Sequence, residues 1–214
     1  MRNSKGENIE YWDRFSNKYD NFVDKRIRNY SELIGLIAKD VDGSANILEI
    51  GTGTGLIALE LVSDSQHVDA TDVSQGMIDA ARNKAKEAEI DNIDFHVCSG
   101  YELPFPNNCY DTVVISNVLH IMKHPENALS EAGRVLKDNG RLIAPTLMHN
   151  ETLKAAIISR IMTTFSGFKV YHRWKSDSFR LFLEENRFEI LTFCIYDELI
   201  PKVYTIVTPT KPKV

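Results

Sequence analysis

The sequence predicts a doubly wound α/β fold, and three observations carry that prediction. An apolar run, Ile47-Leu48-Glu49-Ile50, breaks into Gly51-Thr52-Gly53-Thr54-Gly55 and restarts as a helix at Leu56. Strand-like and helix-like segments then alternate as far as about residue 146. Within them Thr112-Val113-Val114-Ile115 reads as buried on both faces, which is the pattern of a parallel strand covered by helices on each side. A sheet of this kind takes its ligand beyond the carboxyl ends of its strands, at the switch point of the winding.

The elements follow in order. Tyr11, Phe15, Tyr19 and Phe22 recur at intervals of four, four and three, with Trp12 at the edge, so they share one face of a helix. Two readings of that face stay open, one packed on the core and one acting as a lid over a ligand. Helices are expected near 31–39, 55–63, 75–88, 126–136, 151–163 and 176–185. Strands are expected near 46–50, 67–71, 93–98, 111–117, 140–146, 188–195 and 202–208. Ser74 is placed to cap the helix that follows it, because its hydroxyl can accept from an otherwise unpaired N–H. Pro125 sits at a first helical position, and Ala128, Leu129, Ala132, Val135 and Leu136 give that helix an apolar stripe. Asn139-Gly140 turns the chain into the next strand. The last two strands, parted by residues 197–201, are close enough to form a hairpin.

Composition narrows the class. At 214 residues the chain is expected to be one domain spanning 1–214. Within it, 1–40 reads as a helical cap, 41–147 as the ligand-binding core, 148–175 as a substrate cap and 176–214 as the final helix and hairpin. A formal charge of -5 argues against a broad nucleic-acid surface. Cys98, Cys109 and Cys194 have neither the parity of a disulfide framework nor the spacing of a zinc site, and no metal is expected. A polar N-terminus and the lack of a long apolar run suggest a cytoplasmic protein without a cleaved signal.

The glycine loop narrows the ligand. Glycines let a backbone approach a ligand closely, and the helix that follows offers free N–H groups. A dinucleotide site needs Gly-x-Gly-x-x-Gly, but the sixth position here is Leu56, which disfavours a nicotinamide-dependent oxidoreductase. No Lys follows the glycines, so the loop is not a Walker loop. The pattern Glu49-x-Gly51-x-Gly53-x-Gly55 resembles the first motif of the class I S-adenosylmethionine-dependent methyltransferases. Matching features run from Glu49 to about Ile143. The resemblance implies a Rossmann-like, mostly parallel sheet with an antiparallel C-terminal strand. It implies S-adenosyl-L-methionine as cofactor and S-adenosyl-L-homocysteine as product.

Asp72 stands 21 residues after Gly51 at a strand end, where an acid can accept from both ribose hydroxyls. The resemblance gives it that role. The stretch Asp72-Val73-Ser74-Gln75-Gly76-Met77 resembles the second family motif, with Met77 placed against adenine. Ser99-Gly100-Tyr101 falls in the segment that borders adenine, but the family's usual acid is replaced by Ser99. Glu49, Gly51, Thr52, Gly53, Gly55, Asp72, Val73, Met77, Ser99, Gly100, Tyr101, Asn117 and the lid residue Tyr19 form the expected cofactor set.

Methyl transfer from a sulfonium can proceed by alignment and exclusion of water. The fourth strand ends Ser116-Asn117-Val118-Leu119-His120, unlike the motif of enzymes that methylate nucleic-acid bases and similar to the quinone-biosynthesis and small-molecule branch. His120 is open to two readings, a base for the acceptor's proton or a hydrogen-bonded supporting residue. His67, His96 and His124 are expected to be structural. Between Leu147 and Lys175 the rhythm lapses into an apolar helical face of Ile157, Ile158, Ile161, Met162 and Phe165, then Lys169-Val170-Tyr171-His172-Arg173-Trp174-Lys175. That segment reads either as a cap holding a lipidic or anionic substrate, or as a packed helix and a solvated loop. Tyr11, His149, Tyr171 and His172 are its substrate-site candidates. A small-molecule acceptor is expected, with peripheral lipid contact open and the oligomeric state undetermined. The rival reading is a non-catalytic cofactor-binding partner subunit.

Overall fold

The computed structural model describes residues 9–26, 30–41, 45–166 and 169–210; the polar N-terminal stretch before Ile9 lies outside the described residues. Eight strands form one sheet in the order β3-β2-β1-β4-β5-β8, with β6 and β7 both pairing with β8. These strands are β1 (Asn46–Ile50), β2 (His67–Asp72), β3 (Ile93–Val97), β4 (Tyr110–Val114), β5 (Leu136–Ile143), β6 (Thr146–Leu147), β7 (Phe188–Tyr196) and β8 (Lys202–Pro209). The first five are parallel, and β8 runs antiparallel to β5 and to its hairpin partner β7. The order reverses beside β1, so the loops after β1 and β4 flank a crevice at the switch point.

Side-chain alternation divides the core between the two faces of the sheet. Leu48, Ile50, Val113, Ile115 and Leu142 pack with α5 (Pro125–Val135) and α7 (Ser176–Glu185). Ile47, Val68, Ala70, Val114 and Ile143 pack with α2 (Tyr30–Asp40), α3 (Ala58–Leu61) and α4 (Gln75–Glu87). Most of these residues are fully buried, and each such aliphatic side chain contributes about 1.5–3 kcal/mol of transfer free energy. Replacing Val113 or Leu48 with Ala therefore opens a cavity at the sheet centre.

Several elements differ from their sequence-based expectation, and the strand expected over 111–117 ends at Val114, with His120 in a short 3-10 turn beyond it. The helix expected over 55–63 is shortened to Ala58–Leu61, because the glycine loop remains in turns until Ile57. The strand expected from Gly140 instead pairs from Leu136, where Tyr110 faces Leu136 and Thr112 faces Arg141. Two steps on β4 thus match five on β5, and the Asn139-Gly140 turn becomes a bulge in a continuing strand. Ser74 caps α4 as its sequence implies, accepting from Met77 N–H at 3.1 Å.

α1 (Ile9–Arg26) lies across α4 and is held by carboxylates rather than by its aromatic face. Asp13 accepts from Ser74 Oγ at 2.5 Å and from Gly76 N–H at 3.0 Å. Asp20 accepts from Thr54 Oγ1 at 2.5 Å and from Lys84 Nζ at 2.7 Å. Tyr11, Phe15, Tyr19 and Phe22 contact one another and Trp12 through their rings and are only partly buried.

α6 (Leu153–Ser166) turns its small residues inward, with Ala155 and Ser159 buried. Leu153, Ile157, Ile161 and Met162 are exposed, Leu153 by 80%. The reading of a helix packing its apolar face on the sheet is therefore overturned; Phe165's side chain lies outside the described residues. Among the described residues no helix is long and apolar enough to cross a membrane.

Candidate active site

The cleft forms at the carboxyl ends of β1, β2 and β4, under α1. Its floor is the glycine loop. Gly51 and Gly53 both line it and hold φ of 76° and 56°, a region in which a side chain is strained. At Gly51 a Cβ would stand 2.5 Å from Val118 Cγ2. Gly51 N–H and Thr52 N–H donate to Thr71 O at 2.8 and 2.9 Å, which ties the loop to the end of β2.

Asp72 holds the loop from the other side. Its Oδ2 accepts from Gly53 N–H at 2.9 Å and its Oδ1 from Ser74 N–H at 2.9 Å. Burial raises its pKa, and those N–H groups pull it back down. A carboxylate has about four lone-pair sites, so beyond these N–H groups Asp72 keeps acceptor capacity for a ligand's hydroxyls.

Glu49 sits behind the loop, fully buried, where its Oε2 accepts from Thr52 Oγ1 at 2.6 Å and from Ala58 N–H at 3.1 Å. Burial pushes its pKa up to about 7, against the lowering effect of those two bonds. Its carboxylate shapes the loop and does not line the cleft, nor do Thr52 and Gly55. Gly55 instead allows the helix approach, since a Cβ there would meet Ala81 Cβ at 3.0 Å.

Val73, Met77, Gly100 and Asn117 line the cleft with Asp72, as does Tyr19 from α1. Ser99 and Tyr101 do not: Ser99 Oγ accepts from Tyr101 N–H at 3.2 Å, and Tyr101 Oη accepts from His124 N–H at 3.1 Å. Tyr19 covers Gly53, its ring 3.7 Å from where a Cβ would stand. Burial, then the charges of Asp72 and Glu49, raise its phenol pKa, so it stays neutral over the loop. Trp12, at the edge of the helical face in the sequence, also lines the cleft. Sequence reasoning did not single out Cys98, Val118, Ile121 and Met122, which form an apolar wall; their signal was only their place after β3 and β4.

At that wall and behind it lie polar groups with unmet capacity. Asn117 takes φ of 55°, and its Oδ1 is buried with no hydrogen-bond partner. His120 is 4% exposed and His149 is 3% exposed, and their rings stand 4.8 Å apart. His120 Nδ1 and His149 Nε2 have no partner, while His149 Nδ1 contacts Ser159 Oγ at 2.8 Å. Burial pulls the His120 pKa well below the imidazole range, with His149 and Arg173 adding to it. Burial likewise takes His149 down to about 4, so both rings are neutral at neutral pH.

The segment after α6 folds back on this pair. Tyr171 N–H and His172 N–H donate to His120 O at 3.0 and 3.1 Å, and Arg173 donates to Ser159 Oγ and to Thr163 Oγ1. Tyr171 and His172 thus meet the site through their backbones; His172 stacks on Trp174 at 4.9 Å. Tyr11, His120, His149, Tyr171 and His172 do not line the cleft itself.

The doubly wound sheet, its switch-point glycine loop and the acid at the end of β2 define a Rossmann-like nucleoside-binding domain. Residues 48–144 match the family model of a methyltransferase domain. YcgJ of Bacillus subtilis (strain 168), named as an uncharacterized methyltransferase, is 28% identical over 131 residues, 60% of this chain and 52% of its own. The ubiquinone/menaquinone biosynthesis C-methyltransferase UbiE of Brucella abortus (strain S19) is 38% identical over 100 residues, 45% of this chain and 37% of its own. The chain therefore spans about half the length of the first relative and just over a third of the second.

Solved structures agree in fold. The crystal structure of YcgJ superposes with a TM-score of 0.70 at 17% identity, over 85% of this chain and 100% of that one. A SAM-dependent methyltransferase from Aquifex aeolicus gives 0.66 at 19% identity, over 86% and 96%. These matches support a class I S-adenosylmethionine-dependent methyltransferase domain over residues 48–144. Its cleft fits that family's cofactor: the glycine floor admits close approach, Asp72 keeps acceptor capacity, and Asn117 Oδ1 lacks a donor.

Proposed function

We propose that this protein transfers the methyl group of S-adenosylmethionine to a small, largely apolar acceptor molecule. The observation that carries the reading is one cleft with a glycine-and-carboxylate floor, an apolar far wall and an aromatic roof. When bound, the cofactor supplies a methyl group already activated by its sulfonium. The chain's own part would be to hold the acceptor in line with that methyl group and to take up any proton the acceptor gives up.

The chain's residues divide that work. Asp72 accepts from the ribose hydroxyls, Met77 packs on the adenine, and Asn117 Oδ1 takes a donor from the ligand. Trp12 and Tyr19 close the roof and exclude water, which strengthens every interaction beneath. His120 Nδ1, buried behind the cleft wall, neutral and without a partner of its own, is the base we assign to the acceptor's proton. The name of UbiE as a quinone-biosynthesis C-methyltransferase agrees with an apolar acceptor. The exposed stripe on α6 would suit delivery of such a molecule from a lipid phase. The cap reading of 148–175 rests on the bonds from Tyr171 and His172 to His120 O.

Calorimetry with S-adenosylmethionine and its demethylated product, followed by labelled methyl transfer into a cell extract, tests the reading. We expect binding of both ligands and label in an organic-soluble small molecule. Label in protein or nucleic acid would overturn the acceptor class. Cofactor binding with no labelled product would favour the non-catalytic partner subunit.

A further inference from the structure

A second cluster of chemistry-bearing side chains lies at the other end of β2. The tripeptides His67-Val68-Asp69 and Asp94-Phe95-His96 carry the same two polar residue types in opposite order. They sit on adjacent parallel strands, with Asp69 opposite Asp94. Alternation puts all four polar side chains on one face of the sheet, while Val68, Ala70 and Phe95 enter the core on the other.

His67 Nε2 stands 3.4 Å from Asp94 Oδ2 and 3.9 Å from Asp69 Oδ2. At 3.9 Å the Asp69 contact is too long for a hydrogen bond, so the imidazole nitrogen does not join the two carboxylates by hydrogen bonds of its own. A tetrahedral ion with bonds of about 2.0–2.2 Å has ligand–ligand edges of roughly 3.3–3.6 Å. The His67–Asp94 edge at 3.4 Å has that length, and the His67 nitrogen and the two carboxylate oxygens all lie within 4.8 Å of one another, so small side-chain rotations would close them on one ion.

Asp69 is also oriented by outer groups. Tyr110 Oη donates to its Oδ2 at 2.7 Å, and His96 Nε2 contacts its Oδ1 at 2.6 Å. Phe105 supports both, its ring 5.2 Å from His96 and 5.4 Å from Tyr110. A hydrogen-bonded carboxylate beside a ligating imidazole is the arrangement that metal sites use to fix their ligands. We propose that His67, Asp69 and Asp94 bind a divalent transition-metal ion, with water completing its shell and His96 and Tyr110 holding Asp69 in place. An imidazole in the donor set selects zinc or cobalt over magnesium or calcium.

The site lies in the first half of β2 and Asp72 at its end, about 10–16 Å apart at strand rise. The ion takes no part in methyl transfer. It pins edge strand β3 to β2, and β3 runs on into the cleft at Cys98 and Gly100.

Tag-free, chelator-treated full-length protein would be titrated with Co²⁺ and followed by visible absorption, with Zn²⁺ competition and thermal unfolding alongside. We expect saturable bands at one ion per chain, displacement by Zn²⁺, and a higher Tm with Zn²⁺. His67→Ala and Asp94→Asn should each weaken binding at least tenfold and remove the Tm shift. His124→Ala, which loses a contact to Glu126 and an edge-on ring contact with Tyr101, both away from the proposed ligands, should leave both unchanged. Circular dichroism checks that the variants fold. No saturable bands, or binding that persists in both ligand variants, would overturn the site.

Discussion

The two sides of the cleft differ in how they spend their polar atoms. On the glycine-loop side Asp72, Glu49, Ser74 and Asp13 each hold loop or helix groups through hydrogen bonds of the chain's own. On the β4 side Asn117 Oδ1, His120 Nδ1 and His149 Nε2 are buried without partners. A loop that must always meet one ligand gains from being rigid beforehand, because less ordering entropy is lost on binding. Buried groups left unpaired cost stability, and it is on this side that the proposed function places the acceptor.

The largest expected effect breaks the rigid side. Asp72→Ala removes the acceptor of Gly53 and Ser74 N–H groups together with the proposed ribose contacts. Calorimetry should show cofactor affinity falling at least a hundredfold, about 3 kcal/mol, as for loss of a charge-assisted pair. Equal affinity would detach Asp72 from the ligand. Gly51→Ala should cost somewhat less, about tenfold to fiftyfold in affinity, since φ of 76° and the Val118 contact at 2.5 Å both oppose a Cβ.

On the side that awaits its substrate, His120→Gln should leave cofactor affinity unchanged while turnover falls about tenfold to a hundredfold, within the usual range of general-base effects. A parallel loss of cofactor affinity would make the histidine a scaffold for the cleft instead.

The contrast also has a pH signature, with opposite signs on the two sides. His149, lowered to about 4, binds fewer protons folded than unfolded, so stability should fall as pH drops from the ordinary imidazole range towards 4. Glu49, raised to about 7, binds more protons folded, so its contribution is present at low pH and is lost as pH rises through 7. Chemical denaturation from pH 4.5 to 8 should give a steeper acid loss in Glu49→Gln and a shallower one in His149→Gln. The same slope in both variants would refute the opposition.

Much of the rigid side was legible because its signals are local. The glycines, the Ser74 cap and the acid ending β2 follow from residue type and short spacing. The latch of α1 was not, since Asp13 and Asp20 meet partners 34 to 64 residues away and solvent-facing acids have no pattern of their own. α6 shows another limit: periodicity marks an apolar face but not whether it turns inward, and here Ala155 and Ser159 took the core instead. The mirrored His67-x-Asp69 and Asp94-x-His96 become a cluster only once β2 and β3 are known to pair in register. His120 was visible as a candidate, whereas its partner His149 comes from a different loop and was joined to it only by the fold.

The smallest expected effect tests the departure at the adenine edge. Ser99 accepts from Tyr101 N–H, which closes the turn beside Gly100, where a Cβ would meet Ile50 Cγ2 at 2.7 Å. Aspartate is as short as serine in reach to that N–H and adds a second, charged oxygen. Ser99→Asp should therefore keep the turn and tighten cofactor binding by at most about tenfold, the gain of one charge-assisted bond at a partly exposed site. Binding of adenosine alone should tighten by the same factor, because the change lies at the base and not at the amino-acid end. A large loss of affinity in a folded variant would mean that a carboxylate at residue 99 is not the acceptor for this protein's adenine.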